Sequence, residues 1–245
     1  MRILNEQLLL QIWEAGQSQH PVDRALTVLQ AAYPESTRAA LAKWSKGQRD
    51  ARLLQIRQQI FGSLIHGWIT CESCQEKMEV TLQTDHLTLS APEEEDVEEH
   101  SFNQDGYETV FRLPNSFDLA EVAQCENQKS AEKLLQNLCI LWVKRDGKPV
   151  QKSRIPKKLL SAISKKMVEL DPLAEIRLMS ECKTCGELCQ MDLDVISYVW
   201  AEIAALAKRI LHEVHILARS YAWSEQDILS LPARRRQSYL ALVTA

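Results

Sequence analysis

The chain has 245 residues, 45% of them hydrophobic and 25% charged, with a formal net charge of −4. This is ordinary soluble-globular composition, enough for one large domain or two modest ones with ample core. The acidic balance gives no bulk reason to bind nucleic acid, and because no apolar stretch reaches about 18 uncharged residues, no membrane span is expected.

Residues 1–64 read as an N-terminal helical region. "MRILNEQLLLQIWEAG" is interrupted by Asn5, Glu6, Gln7 and Gln11 and lacks a small-residue cleavage site, so it reads as an amphipathic helix and not as a signal peptide. In "HPVDRALTVLQAAYP", Pro21 suits a first helical turn, and Ala25, Leu26, Leu29 and Ala32 recur at helical spacing until Pro34. "STRAALAKW" and "GQRDARLLQIRQQIFG" follow as helices. In the second, Leu53, Ile56, Ile60 and Phe61 line one face, Arg49, Arg52 and Arg57 are expected mostly outside it, and Gly62 is the expected stop.

Residues 65–193 change character and read as a zinc-ribbon-like β element carrying a helical insertion over residues 115–170. "LIHGWIT" and "KMEVTL" are strand-like. "APEEEDVEEH" is a run of negative charge without apolar periodicity, expected as an exposed loop in preference to an acidic docking site. "GYETVFRLP" is a strand with Tyr107, Thr109, Phe111 and Leu113 on one face. Asn115 or Ser116 then caps a short helix, "FDLAEVAQ". "SAEKLLQNLCILWV" is expected as a second helix, "RDGKPVQ" as a break, and "IPKKLLSAISKKMVEL" as a third helix bounded by Pro156 and Pro172. "AEIRLMSEC" returns to strand, and "QMDL" leads away.

Residues 194–245 form a C-terminal helical region. Val195, Val199, Ile203, Leu206, Ile210, Val214 and Leu217 recur at three- and four-residue spacing, which predicts one long amphipathic helix to about Tyr221. Ser224 starts a further short helix, and "PARRRQSYLALV" makes another after Pro232. The fold class expected is therefore α+β and predominantly helical, with N- and C-terminal helical parts joined by the β element.

Without export, the seven cysteines belong to a reducing compartment, where C-x-x-C signals metal or redox chemistry more often than structural disulfides. "CESCQEKMEVTL" from Cys71 and "CKTCGELCQMDL" from Cys182 place Glu76 and Glu187, and Leu82 and Leu193, at the same offsets. Two such turns flanked by strands can complete a tetrahedral site, so Cys71, Cys74, Cys182 and Cys185 are the expected ligands of one structural zinc ion. Four sulfurs close the coordination sphere, which favours structure over catalysis. Independent pairs and redox chemistry are the alternatives, although a redox thiol belongs at the start of a helix and both pairs here run into strands. Gly186 suits the bend after the second pair, and Gln75 holds that place in the first. Cys125 and Cys139 read as packed thiols, and Cys189 as a spare neighbour or a participant.

No catalytic constellation emerges. "LHEVHILA" has His212 and His215 three residues apart where the zinc-protease helix needs four, so they read as polar-face histidines beside Glu213. There is no phosphate-binding glycine loop and no nucleophile elbow. "ARRRQSY", with Arg234, Arg235 and Arg236, lacks an aromatic platform and reads as a solvated or protein-facing basic turn. Trp13, Trp44, Trp68, Trp142, Trp200 and Trp223 read as core or interface anchors. The chain is accordingly expected not to be an enzyme and to have no small-molecule substrate.

Taken together, "GQRDARLLQIRQQIFG", "CESC", "FRLPNSFDL", "ELDPLAEIRL", "CKTCG" and the stretch from "VWAEIAALAKRIL" to "RRRQSYL" resemble the baseplate proteins of contractile phage tails and related bacterial contractile injection systems, the T-even-type baseplate hub assembly protein among them. That family's knuckles usually read C-P-x-C-G; here Glu72 and Lys183 replace the proline and Gln75 one glycine. The family's Tyr-Gly-Trp appears as Tyr221, Ala222 and Trp223, from which the last long helix is expected to run slightly further. The resemblance implies a non-enzymatic baseplate or hub component, or a hub-assembly protein, whose partners are other baseplate, hub or tape-measure proteins. Its location would be the cytoplasm during assembly, with retention in the tail or injection particle as one version. A transient chaperone for the tape measure, absent from the mature particle, is the alternative; a zinc-ribbon nucleic-acid binder is the less favoured one.

Overall fold

Residues 1–85 and 99–244 are described by the computed structural model of the chain. The acidic run expected as an exposed loop lies, over residues 91–98, outside the described residues. In chain order the elements are α1 (Glu6–Gly16), α2 (Pro21–Ala32), α3 (Arg38–Lys43), α4 (Lys46–Phe61), β1 (Leu64–Thr70), β2 (Lys77–Gln83), β3 (His100–Gln104), β4 (Tyr107–Phe111), α5 (Ser116–Val122), α6 (Gln128–Cys139), β5 (Ile140–Arg145), β6 (Lys148–Pro149), α7 (Lys157–Leu170), β7 (Arg177–Glu181), β8 (Leu188–Asp192), α8 (Val195–Tyr221), α9 (Glu225–Ser230) and α10 (Ala233–Thr244). The fold is α+β and mostly helical. It divides into two units, one of Met1–Pro34 with Ile196–Ala245 and one of Glu35–Val195. The change of character at residue 65 therefore falls inside the second unit.

In the first unit, Asn5 caps α1 by accepting the Leu8 amide at 2.9 Å, and Pro21 opens α2 behind His20. Gly16, at the end of α1, is required by a close approach: a Cβ there would sit 2.2 Å from the Trp200 ring. Arg24 stacks on the same indole at 4.7 Å and donates to the Gly16 carbonyl at 2.9 Å, satisfying an otherwise open helix end. The stripe of α8 is buried as its spacing predicts, Ile203, Ile210 and Leu217 completely and Val214 in part. The basic turn differs from expectation. It is the first turn of α10, and Arg236 is buried, pairing with Glu6 at 2.6 Å and Glu213 at 2.7 Å. Two carboxylates compensate the buried guanidinium, an arrangement that local sequence cannot display.

The end of α8 is a second difference. The helix stops at Tyr221, and Ala222 takes a left-handed φ of 53° where the family glycine would sit unstrained. Packing overrides the alanine's preference. Tyr221 stacks on Trp223 at 4.7 Å, and Tyr239 meets both edge-on at 5.6 and 4.9 Å. The chain must turn there to form that cluster, and Ser224 restarts it with a capping box to Asp227.

In the second unit, α4 is held at both ends. At its start Ser45 and Gln48 form a reciprocal capping box, the Lys46 amide donates to the Pro114 carbonyl at 2.8 Å, and the Gly47 amide donates to Asp171 at 2.9 Å. At its end Arg57 donates to the carbonyls of Gly62 and Leu64, the latter at 2.6 Å. Arg49 and Arg57 are thus buried and not outside the apolar face. Arg49 pairs with the equally buried Asp50 at 2.8 Å.

A four-stranded antiparallel sheet in the order β3-β4-β5-β6 follows. Its outer hairpins turn at Asp105-Gly106 and Asp146-Gly147, all four with positive φ, as two-residue turns between twisted strands require. The stretch expected as one helix through "CILWV" ends at Cys139, and β5 begins at Ile140, paired to β4. A short β-branched and aromatic run packs better on a pleated sheet than along one more helical turn. Phe111, Ile140 and Val143 of the sheet share a core with Ile155, Leu159 and Ile163.

Candidate metal centre

Each cysteine pair is carried on a two-stranded antiparallel hairpin, Cys71 and Cys74 between β1 and β2, Cys182 and Cys185 between β7 and β8. The two turns have the same backbone. The Gln75 amide donates to the Cys71 carbonyl at 2.9 Å and the Cys71 amide to the Glu76 carbonyl at 2.9 Å; the Gly186 and Cys182 amides do the same to Cys182 and Glu187, both at 2.8 Å. The equal offsets in the sequence are therefore equal hydrogen bonds in the fold. Both bends need a left-handed residue, Gly186 at φ 77° and Gln75 at φ 60°.

The structure brings all four expected sulfurs together, within 4.8 Å of one another. Cys71 Sγ lies 3.6 Å from Cys185 Sγ, and Cys74 Sγ lies 3.6 Å from Cys182 Sγ. Both close pairs cross from one hairpin to the other. A tetrahedral ion with metal–sulfur bonds of about 2.3 Å sets its sulfurs about 3.8 Å apart, so the donor set fits one shared ion. A disulfide would need about 2.05 Å, and all four thiols are free.

Electrostatics point the same way. Hydrogen bonding from the Cys74 amide brings the Cys71 thiol down to about 6. The Glu187 amide also pulls on Cys185, but the neighbouring Cys71 and Cys74 sulfurs outweigh it and hold that thiol up at about 12. One thiolate forms readily and resists the others, since like charges crowd together. A bound cation reverses that resistance, and thiolates are what such a cation coordinates.

Around the sulfurs the packing is thin. Ile69, Met78 and Cys189 are buried with Cys71 and Cys182, with Val80, Leu178 and Met191 partly buried beside them. An isolated two-stranded hairpin is marginal in water, so the cluster of sulfurs is the main device available to join these two. Cys189 sits on β8 with its thiol 3.7 Å from the Glu187 carbonyl. Burial, with the nearby Cys71 sulfur, pushes that thiol up to about 11, which leaves it a packed neighbour. Cys139 is likewise buried, and desolvation raises it to about 12. His212 and His215 are exposed on α8, with Glu213 between them turned inward to Arg236.

The bend suggests a direct test. Replacing Gln75 by glycine should stabilise the protein by about 1 kcal/mol, because a side chain with a Cβ pays for the left-handed region and glycine does not. Urea denaturation would read the gain; a loss of stability would mean that the hydrogen bond from the Gln75 side-chain Nε2 to the Glu72 carbonyl, at 3.1 Å, matters more than the backbone strain.

A mostly helical protein in which two like C-x-x-C hairpins, remote in sequence, converge on one four-sulfur cluster belongs to the class of paired-knuckle proteins whose cysteines could hold a metal ion. Within that class, the family model described as "T4 bacteriophage base plate protein" matches residues 3–197, and the chain belongs to that family. Both knuckles lie inside the match. Comparison with curated proteins and with solved structures produced no match. Among the described residues, no helix is long and apolar enough to cross a membrane.

Proposed function

We propose that this baseplate-family protein is a non-enzymatic hub component or hub-assembly protein of a contractile tail, working through contacts with other baseplate, hub or tape-measure proteins. Zinc, one ion held by Cys71, Cys74, Cys182 and Cys185, fastens its two hairpins. The observation that carries this reading is the family match over residues 3–197, which takes in both knuckles. The donor set supports the choice of metal: four thiolates in tetrahedral reach suit zinc and leave no position for water or substrate.

Mass spectrometry of purified tails against the producing cell's lysate tests the role. A retained hub component is expected in the particles at fixed stoichiometry to the other baseplate proteins. Abundance in the lysate with absence from the particles would replace that reading with a departing assembly factor, such as a chaperone for the tape measure.

A further inference from the structure

The second unit carries a groove that no part of the described chain fills. Its volume is about 910 Å³, and it is long. Along α7 it is lined by Lys157, Leu160, Ser161, Ser164, Met167 and Val168, a three-and-four stripe that continues to Asp171 and so spans about 21 Å at 1.5 Å per residue. The facing wall is α6, through Lys129, Lys133, Leu135 and Gln136. Gln136 and Ser164 touch across the floor at 3.4 Å. The leucines of α6, at 134, 135 and 138, are only half-buried, so this helix has an apolar face without full cover.

Charge identifies the missing occupant. The carboxylates lining the groove are already engaged: Glu132 accepts from Gln128 at 2.8 Å, Glu175 pairs with Arg177 at 2.8 Å, and Asp171 accepts the Gly47 amide at 2.9 Å. Lys129, Lys133 and Lys157 are exposed on the rim, and no carboxylate among the described residues pairs with them. The groove thus offers three unspent positive charges in a chain whose net charge is −4. The shape selects a helix over a strand. A strand laid between two helices would bury backbone groups with no partner, whereas a helix satisfies its own and presents side chains at matching spacing.

We infer that this groove is the docking site for an acidic amphipathic helix of about four turns from a partner protein, its apolar stripe on Leu119, Leu135, Leu160, Met167 and Val168 and its carboxylates on Lys129, Lys133 and Lys157. This rests on the reading of the protein as one that acts through protein contacts, and it supplies the surface and the partner's chemistry.

Two synthetic helical peptides of about fifteen residues test it, with the same leucine stripe flanked by glutamates in one and by lysines in the other. Against the full-length purified protein, the acidic peptide should bind about ten-fold or more tightly than the basic one. The K129E/K133E/K157E variant, altered only at exposed positions, should erase that preference while its thermal unfolding stays unchanged. If the variant is destabilised, K129A/K133A/K157A serves instead, with a smaller loss expected. Equal affinity for both peptides, binding of neither, retention of the preference in the folded variant, or displacement of the peptide by a single-stranded oligonucleotide would overturn the inference. Because the binding assay does not depend on tail incorporation, failure here alongside recovery of the protein in purified tails removes the groove and leaves the hub reading intact. Success here with absence from tails does the reverse.

Discussion

Replacing Cys185 by serine should drop the zinc content from one ion per chain to well below it, and should destabilise the protein by on the order of 3 kcal/mol or more, since metal binding free energy is folding free energy in such sites. Cys185 is the informative ligand because its side chain is exposed. Substituting Cys71 or Cys182, only 0% and 1% exposed, would mix lost packing with lost coordination. A chelator should lower the melting temperature of the wild-type protein towards that of the variant and change the variant little. Cys125→Ser, at a half-buried thiol outside the cluster, is the control and should keep its zinc. So should Cys189→Ser, whose thiol lies against the Glu187 carbonyl just before β8. One zinc per chain in Cys185→Ser would end the shared-site reading. Loss of zinc without loss of stability would place the joining of the hairpins in the apolar cluster of Ile69, Met78 and Cys189 instead.

The knuckles were legible in the sequence because each is local. Two cysteines, a bend and a returning strand fit within twelve residues, and the equality of the two copies shows in their offsets. Helices with strong start signals were legible for the same reason, as Pro21, Asn115 and Ser224 illustrate. Three strands were not read: β3, β5 and the two-residue β6. "ILWV" continues an amphipathic helix without a stop residue, and only pairing with β4 decides for strand; short apolar runs carry no period of their own. β3 had a signal, Asp105-Gly106, that marks a two-residue hairpin turn. The buried arginines failed differently. Arg49, Arg57 and Arg236 look like solvent-facing charges until their partners are known. Only Asp50 lies beside its arginine; Glu6 and Glu213 lie far from Arg236 in sequence, and Arg57 is held by backbone carbonyls.

Three of the stretches that carry the family resemblance meet at one place in the second unit, the start of α4. "GQRDARL" supplies Gly47, "FRLPNSFDL" supplies the Pro114 carbonyl that accepts from Lys46, and "ELDPLAEIRL" supplies Asp171. Arg112 and Asp118 stiffen the second of these with a paired hydrogen bond, one arm 2.6 Å long. Burial pushes the Asp171 carboxyl above its ordinary range, opposed by the hydrogen bond from the Gly47 amide, so this contact is the chief compensation for taking that group out of water. Gly47→Ala is therefore expected to destabilise the protein by about 2–4 kcal/mol, although alanine in an open helix would gain about 1 kcal/mol over glycine. The reason is space: a Cβ at this position would stand 1.9 Å from Asp171 Oδ1 and 2.9 Å from the Ala174 backbone nitrogen. The carboxylate must leave, and its hydrogen bond leaves with it. Asp171→Ala removes the same bond and the obstruction together, so the double variant should cost less than the two single changes added, and urea denaturation of all four proteins would measure the difference. Strict additivity would mean that Gly47 and Asp171 do not meet, and that this junction is not what the three stretches have in common.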